Sequence, residues 1–448
     1  MNIPELINKS LKVVQGISDN TEELAVLNSL NAKFANLVTL KNCTFKQYSN
    51  SSARTLSYYA INFQNSGSSK DFVIDTINEM LMPFIKDEMD KRIDDFKNEF
   101  ELTHPLLKPK ELKEELEKIR VSNLELFSPN TTGFYREAEQ IIKIGFGSIF
   151  VRISELGDFI SNIVGGDKSK KEFFESMKNV YEGTVSPSII AGDGKRKTLK
   201  LIPVQCIMYT DFENLYNEKV KDYYISTLKT GLARRSYVFM PDDNNKKLEY
   251  PKKYDAKELS FNNARELQKE IKLLYDSIKP NTVYMFSEES KEMLYKYQCK
   301  CIDYFNNTKE NMILKLEKKS SFWKITKLAV IYSIVDNPTS TVVNSKYVQM
   351  AIDFYNLISP SLKRVLNERK KSEIEIYAEY LADNADKIIT KTDLRQLNIV
   401  NGNKFKRFFD EHFEEIKEEL ESVYGYSVYN FESKKNVKAF QLIKTGNN

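Results

Sequence analysis

Histidine is almost missing from this chain. His104 sits before a proline in a polar stretch and His412 on a charged helical one, so two residues in 448 leave no imidazole set for a zinc site or a histidine-driven nucleophile. Four cysteines (Cys43, Cys206, Cys299, Cys301) make no disulfide framework and, with so few histidines, no zinc pattern; they suit a reducing cytoplasmic compartment. No apolar run is long enough to span a bilayer, and the N-terminus lacks the basic-then-apolar form of a signal peptide, so no membrane partner is expected. Neither sign of charge dominates. With 67 Lys and Arg against 63 Asp and Glu, a net +4 and a pI near 8.4, any nucleic-acid surface has to be a local patch.

What is present indicates a globular chain of several domains. The length exceeds what one core accommodates, and 41% hydrophobic with 29% charged residues is not a disordered composition. One stretch organises the rest: Tyr58-Tyr59-Ala60-Ile61-Asn62-Phe63, then Gln64-Asn65-Ser66-Gly67-Ser68-Ser69-Lys70-Asp71, then Phe72, Val73, Ile74 and Ile77 at helical spacing. This is the order strand, small polar loop, lysine, helix. Small residues let a phosphate approach free backbone amides, and a lysine beside a helix N-terminus neutralises it, so Ser66, Gly67, Ser68, Ser69, Lys70 and Asp71 are the candidate phosphate-binding residues. Of the pattern G-x-x-x-x-G-K-[ST] only the lysine is kept, because Gln64 and Ser69 replace glycines and Asp71 replaces the hydroxyl. The alternative reading is a polar turn with a solvated lysine.

Before this stretch, residues 1–50 read as a small helical element. After it, Met82, Ile85, Met89, Ile93, Phe96 and Phe100 recur among dense charges, and His104-Pro105 turns the chain into a second charged helix; residues 83–127 are thus a helical insertion. Ile149–Ile153 returns to a β-branched strand that runs into Ser154-Glu155, where Glu155 is a candidate base and Ser154 a candidate metal-side residue. Residues 186–199 read as a hairpin with Lys195, Arg196 and Lys197 at its tip, a candidate phosphate contact for DNA. Val204–Tyr209 is a further core strand ending in Thr210, which either senses a terminal phosphate or caps the next helix. Arg234 and Arg235 precede another strand and suit a phosphoryl oxygen on a neighbouring subunit, with structural ion pairing as the alternative.

Residues 261–369 carry a helical pattern, read as a lid, so residues 51–250 form the core and 251–370 the lid domain. Residues 371–448 run three helices and two strand-like segments, the order of a winged helix. Lys404, Lys406 and Arg407 on its third helix form a candidate DNA-binding face, although Glu411, Glu414, Glu415, Glu418 and Glu419 follow and equally suit a protein partner.

Taken together, the Tyr-rich strand into Ser-Gly-x-x-Lys-Asp, the charged insertion, the strand ending in Glu155, the basic hairpin, the strand ending in Thr210 and Gly-Leu-x-Arg before a strand resemble phage and mobile-element ATPases. These are P-loop, AAA+-like proteins of the replicative helicase and primase-associated class, here with degenerate Walker motifs. The resemblance covers residues 50–370. It implies an α/β fold with a P-loop NTPase core, ATP and magnesium as cofactors, nucleotide at the subunit boundaries of a ring-shaped homo-oligomer, and DNA, single-stranded or at a replication origin, as partner in a bacterial host cytosol. Residue by residue it implies Lys70 as phosphate lysine, Asp71 on the magnesium side, Glu155 as base, Thr210 as sensor, and Arg234 or Arg235 as finger. The expected activity is helicase-like ATP use on DNA. The departures at Gln64, Ser69, Asp71 and Ser154 leave open a second function, a DNA-binding replication initiator or adaptor that does not hydrolyse ATP. In either case the loop and Glu155 are expected on adjacent strand ends.

Overall fold

Tyr59–Phe63 is buried at every residue, as a strand covered on both faces has to be. The computed structural model describes residues 2–19, 21–64, 70–117, 125–145, 147–187, 196–211, 214, 216–232, 234–242, 252–367, 372–397, 399–401, 404–432 and 438–444. Two compact units divide the chain, residues 1–368 and 369–448. Strands in chain order are β1 (Thr44–Lys46), β2 (Arg54–Thr55), β3 (Tyr59–Phe63), β4 (Leu126–Phe127), β5 (Ile149–Ile153), β6 (Val204–Thr210), β7 (Ser236–Phe239), β8 (Val283–Phe286) and β9 (Val342–Val343). The second unit adds β10 (Ile389–Thr390), β11 (Tyr426–Glu432) and β12 (Lys438–Lys444).

The main sheet has five strands, all parallel, in the order β4-β5-β6-β3-β7, with helices on its faces. The expected α/β class is therefore found. Phe63 pairs with Thr210 and Ile153 with Met208, so β3, β6 and β5 end side by side on one carboxyl edge. Loops leaving that edge are where open parallel sheets place ligands. The charged stretch after residue 83 forms helices Phe84–Thr103 and Pro109–Glu117, and His104 at the first helix's end stacks its ring on Phe100 at 4.1 Å.

The N-terminal residues are not a separate element. Helix Glu23–Thr39 is buried from Ala25 to Thr39 and packs on β3, β6 and β7 as well as on helix Met312–Asp336. A helix without a polar face has to lie in a core. Its position is specified by paired polar groups: Asn28 donates to Asn62 Oδ1 (2.8 Å) and accepts from the Tyr58 hydroxyl (2.6 Å), and Ser29 meets the Tyr209 hydroxyl at 2.8 Å. Sliding the helix by one residue would strand several buried donors at once. Ala25 lies near Asn62 and Thr39 near Gln205 at the start of β6, so the helix runs against the strands, with its N-terminus over the carboxyl edge.

A second sheet, ordered β2-β1-β8-β9, corrects the reading of residues 261–369 as wholly helical. Val283-Tyr284-Met285-Phe286 pairs in parallel with Thr44-Phe45-Lys46, more than two hundred residues earlier in the chain, and Asn281, with φ 56°, makes the left-handed turn before it. The pairing is nonlocal, which the periodicity of either segment cannot reveal. Around these strands the helical expectation stands in helices Tyr254–Ser277, Glu288–Asn307, Met312–Asp336 and Ser345–Ile358. Among the described residues no helix is long and apolar enough to cross a membrane.

The second unit contains helices Glu373–Asp383, Lys391–Gln396 and Phe405–Glu419 and an antiparallel sheet ordered β10-β12-β11. Two capping boxes, Ser372 with Glu375 and Thr390 with Asp393, start the first two helices. Tyr377, Leu381, Leu394, Phe405, Phe409 and Phe440 form its core.

Helix Met312–Asp336 also carries a buried cation. Lys327 Nζ donates to the Tyr181 carbonyl at 2.7 Å and lies 3.6 Å from the centre of that ring. Burial, with Arg54 and Arg235 nearby and only Glu182 opposing, pushes its pKa down to about 7. The unfolded chain keeps this proton to about pH 10.4, so above pH 7 the unfolded state binds more protons and stability rises with pH, by at most about 1.4 kcal/mol per unit. Burial raises the thiol of Cys43 to about 11 and those of Cys206 and Cys301 as well; they act in the opposite sense only on approaching the ordinary thiol value of about 8.5, which makes pH 7 to 8 the clean window. Urea unfolding across that window should show a steeper rise for the native chain than for Lys327→Met; equal slopes would contradict the buried ammonium.

Candidate functional site

β3 passes through Gln64 to residues 65–69, which include Ser66, Gly67, Ser68 and Ser69 and lie outside the described residues. Lys70 opens helix Lys70–Thr76, and its side chain is likewise outside the description. The first structural fact after the loop is an anchor. Arg152, inside β5 and 4% exposed, donates from Nη2 to Asp71 Oδ1 (2.7 Å) and the Asp71 carbonyl (3.3 Å), and from Nη1 to Asp75 Oδ1 (2.7 Å) and Glu125 Oε2 (3.4 Å). Its Nε donates to Ser154 Oγ at 3.2 Å. The planar fork satisfies acids in three directions, which an ammonium could not do.

Behind Arg152 the network continues inward. Glu125 forms a buried ion pair with Lys33 of helix Glu23–Thr39 and accepts from Asn78 at 2.7 Å. Lys33 Nζ in turn lies 3.6 Å from the Phe150 ring centre. Asn78 sits in the π-helical turn Ile77–Leu81, which closes the helix begun at Lys70. Burial alone would raise the Glu125 carboxyl, but the Lys33 ammonium, Asn78 and Arg152 hold it below the ordinary carboxylate value. Arg152 is moved the other way: burial works against its charge, yet Asp75, Asp71 and Glu125 more than compensate and its pKa lies above the ordinary one.

Asp71 and Ser154, the two residues expected on the metal side, therefore meet on a guanidinium. A cation placed there would face Arg152 at close range, and among the described residues no cluster of three or more His, Cys, Asp or Glu could hold a metal. Glu155 is exposed, lies beyond the end of β5, after Ser154, and stands at the N-cap of helix Leu156–Val164. Thr210 ends β6, is 3% exposed and accepts from Asn214 Nδ2 at 3.2 Å, while its carbonyl accepts from the Gln64 amide at 3.0 Å. Asn214 packs so closely on Gly157 that a Cβ there would fall 2.1 Å from its side chain. Thus Gly157, Asn214 and Thr210 join the β5 and β6 ends.

The loop and Glu155 were expected on adjacent strands. They are separated by β6, a gap of about 10 Å, and Thr210 stands in it. Arg234 and Arg235 lie at the opposite, amino edge, just before β7. Arg235 Nη1 donates to the Gly231 carbonyl at 3.0 Å, and Gly231, with φ 122° at the end of helix Glu218–Thr230, leaves room for both guanidinium groups. Both Nε atoms are buried without a partner among the described residues, and burial with the charge of Arg235 lowers the Arg234 pKa. They cannot reach the carboxyl edge of their own chain.

Of the basic hairpin, the described part shows one antiparallel bridge, Val185 with Leu199; Lys195 lies outside the description. Arg196 is 3.6 Å from Glu139 and stacks over Tyr135, whose hydroxyl donates to the Lys197 carbonyl at 2.7 Å. Lys404, Lys406 and Arg407 are exposed in the second unit, and Arg407 pairs with Glu411 at 2.8 Å.

The residues that the sequence reading missed are Arg152, Glu125, Lys33 and Asn214. An arginine in the middle of the apolar run Ile-Phe-Val-Arg-Ile is the one signal that could have found the network. Arg152→Met leaves Glu125 its Lys33 and Asn78 partners but removes the link to Asp71 and Asp75. It should lower stability by about 3 kcal/mol in chemical denaturation, with Arg152→Lys recovering less than half; a change under about 0.5 kcal/mol would refute the anchor. Among known proteins, no family model matches this chain and no curated protein does.

Proposed function

We propose that the first unit is a P-loop-type NTPase core and that the protein is a DNA-replication ATPase of a phage or mobile element, helicase-like, binding ATP at a degenerate loop to move or remodel DNA. One observation carries the reading: three successive strands, β3, β6 and β5, end on one edge in the lysine-bearing loop, Thr210 and Glu155. In this reading Lys70 neutralises the β and γ phosphates, Thr210 senses the terminal phosphate, and Glu155 takes the proton of an attacking water. Magnesium enters only as the counter-ion that ATP brings. Arg234 and Arg235, on the amino edge, act on nucleotide held by a neighbouring copy in a ring.

The second unit, with its three helices and antiparallel strand pair, is read as a winged helix that contacts DNA through Lys404, Lys406 and Arg407, with Lys195, Arg196 and Lys197 as a further contact on the first unit. A second function is favoured by the engagement of Asp71 and Ser154 with Arg152: a replication initiator or adaptor that binds nucleotide and DNA without turnover.

ATP hydrolysis with and without single-stranded DNA separates the two. Lys70→Ala should lose at least about a hundredfold in rate; equal rates for native and variant chains remove the enzyme, and binding without turnover selects the initiator. Lys404→Glu with Lys406→Glu should weaken DNA binding uniformly across sequences and reduce the slope of log K against log salt by about 2, measured by anisotropy on the whole chain. An unchanged slope would assign this face to a protein partner.

A further inference from the structure

A strand at the edge of a sheet offers unpaired amides and carbonyls to any other strand, and folded proteins blunt such edges by keeping them short, charged, bulged, interrupted by proline or covered. The described sheets have their edges at β2 and β9, at β4 and β7, and at β10 and β11. β2, β4, β9 and β10 are two residues long. β7 has four residues, packs against helices Ser345–Ile358 and Pro360–Asn367, and is followed by Met240 and Pro241; the Met240 carbonyl accepts from Arg364 Nε at 3.0 Å and from Ser361 Oγ at 3.1 Å. The fold thus blunts every edge but one.

β11 spans seven residues, paired one to one with β12 from Tyr426 with Lys444 to Glu432 with Lys438, so no bulge interrupts it. Its sequence, Tyr-Ser-Val-Tyr-Asn-Phe-Glu, has no proline, lysine or arginine, and its one charge is terminal. Among the described residues β12 is its only strand neighbour. One face of the strand pair is turned into the unit's core, where Phe440 and Leu442 are buried, and the other carries Tyr429 and Ile443, each 56% exposed.

This edge is self-complementary in one register. When two copies pair antiparallel with Tyr429 at the centre, the whole strand is used: Val428 is set against Asn430, Ser427 against Phe431 and Tyr426 against Glu432. The central pair is aromatic, and no charge stands opposite its like, because the terminal glutamate position faces a tyrosine. Lys444, the β12 neighbour of Tyr426, falls in the same row as that glutamate of the other copy. An extended peptide of another protein would find the same backbone groups but would not bring this match.

We infer that the second unit pairs with that of another copy of this chain, β11 against β11, so that the two sheets become one across a two-fold axis at Tyr429. The contact is isologous and uses neither nucleotide nor the sheet of the first unit. It is therefore independent of the proposed function.

Sedimentation velocity of the full chain, over a range of protein concentrations and without nucleotide, tests this. The native chain should form pairs, and Tyr429→Lys, which sets like charges together on the axis, should melt at the native temperature and associate more weakly by about tenfold or more. Mixing Tyr429→Lys chains with Tyr429→Glu chains should restore the pair, which a loss through misfolding would not allow. In a Cys299→Ser background, where the remaining cysteines are buried, a short bis-maleimide should join Tyr429→Cys to its counterpart and leave Ser427→Cys single. A monomeric native chain overturns the inference, as does association that Tyr429→Lys leaves unchanged, or a crosslink at Ser427→Cys in preference to Tyr429→Cys, which marks another register. Pairing seen only when an ATP analogue is added belongs to the proposed ring and overturns it too, and none of these failures touches the nucleotide reading.

Discussion

The arginine inside β5 is the constraint on which the rest of the first unit depends. A guanidinium cannot give up its charge, so a strand that buries one has to bring carboxylates to it. Here they come from two places, helix Lys70–Thr76 after the candidate loop (Asp71 and Asp75) and the segment before the edge strand β4 (Glu125), and Glu125 in turn ties in the central helix through Lys33. Those segments are far apart in the chain. Packing alone would let helix Lys70–Thr76 slide or tilt on the sheet, whereas a forked set of bonds at 2.7 Å defines one position for the turn from which the loop departs.

The same network shapes the electrostatics of the carboxyl edge. Lys33 and Arg152 face Asp71, Asp75 and Glu125, so the described cluster is one carboxylate in excess, and the two aspartates remain about half exposed. Under the proposed function, a phosphate approaching that turn meets negative charge from the helix flank, which Lys70 has to offset. At the opposite edge the balance is reversed. Arg54, Arg235 and Lys327 surround the single acid Glu182, and Arg234 lies beside Arg235 with no carboxylate partner among the described residues. The sheet thus has an acidic shoulder at one end and a basic one at the other, a polarity that suits a head-to-tail ring of copies under the proposed function.

How far the chain could be read in advance varied with the range of the interactions involved. The fully buried strands Tyr59–Phe63, Ile149–Ile153 and Val204–Thr210 were legible as apolar runs, and the second unit as three helices and two strand-like segments. Glu155 and Thr210 were legible as strand-end residues for the same local reason. The central helix was visible as a helix, but its place in the core was missed, although its sequence between Ala25 and Thr39 carries a single charge, Lys33, and no polar face. β8 was missed because its partner lies before the core in sequence, and a pairing across that distance leaves no trace in either segment alone.

What the sequence determined by itself is therefore local: which stretches are strand or helix, which loop is small and carries a lysine, and that neither zinc chemistry nor a histidine relay has the residues it needs. The tertiary structure decided what those stretches are next to. It inserted β6, and with it Thr210, between the loop strand and the Glu155 strand, sent Arg234 and Arg235 to the far edge, and gave Asp71 and Ser154 to Arg152. The reason is physical. Local preference arises from backbone and side-chain conformation within a few residues, whereas strand order and the pairing of buried charges minimise a free energy summed over the whole fold, in which every buried donor and acid has to find its partner wherever the chain can bring one.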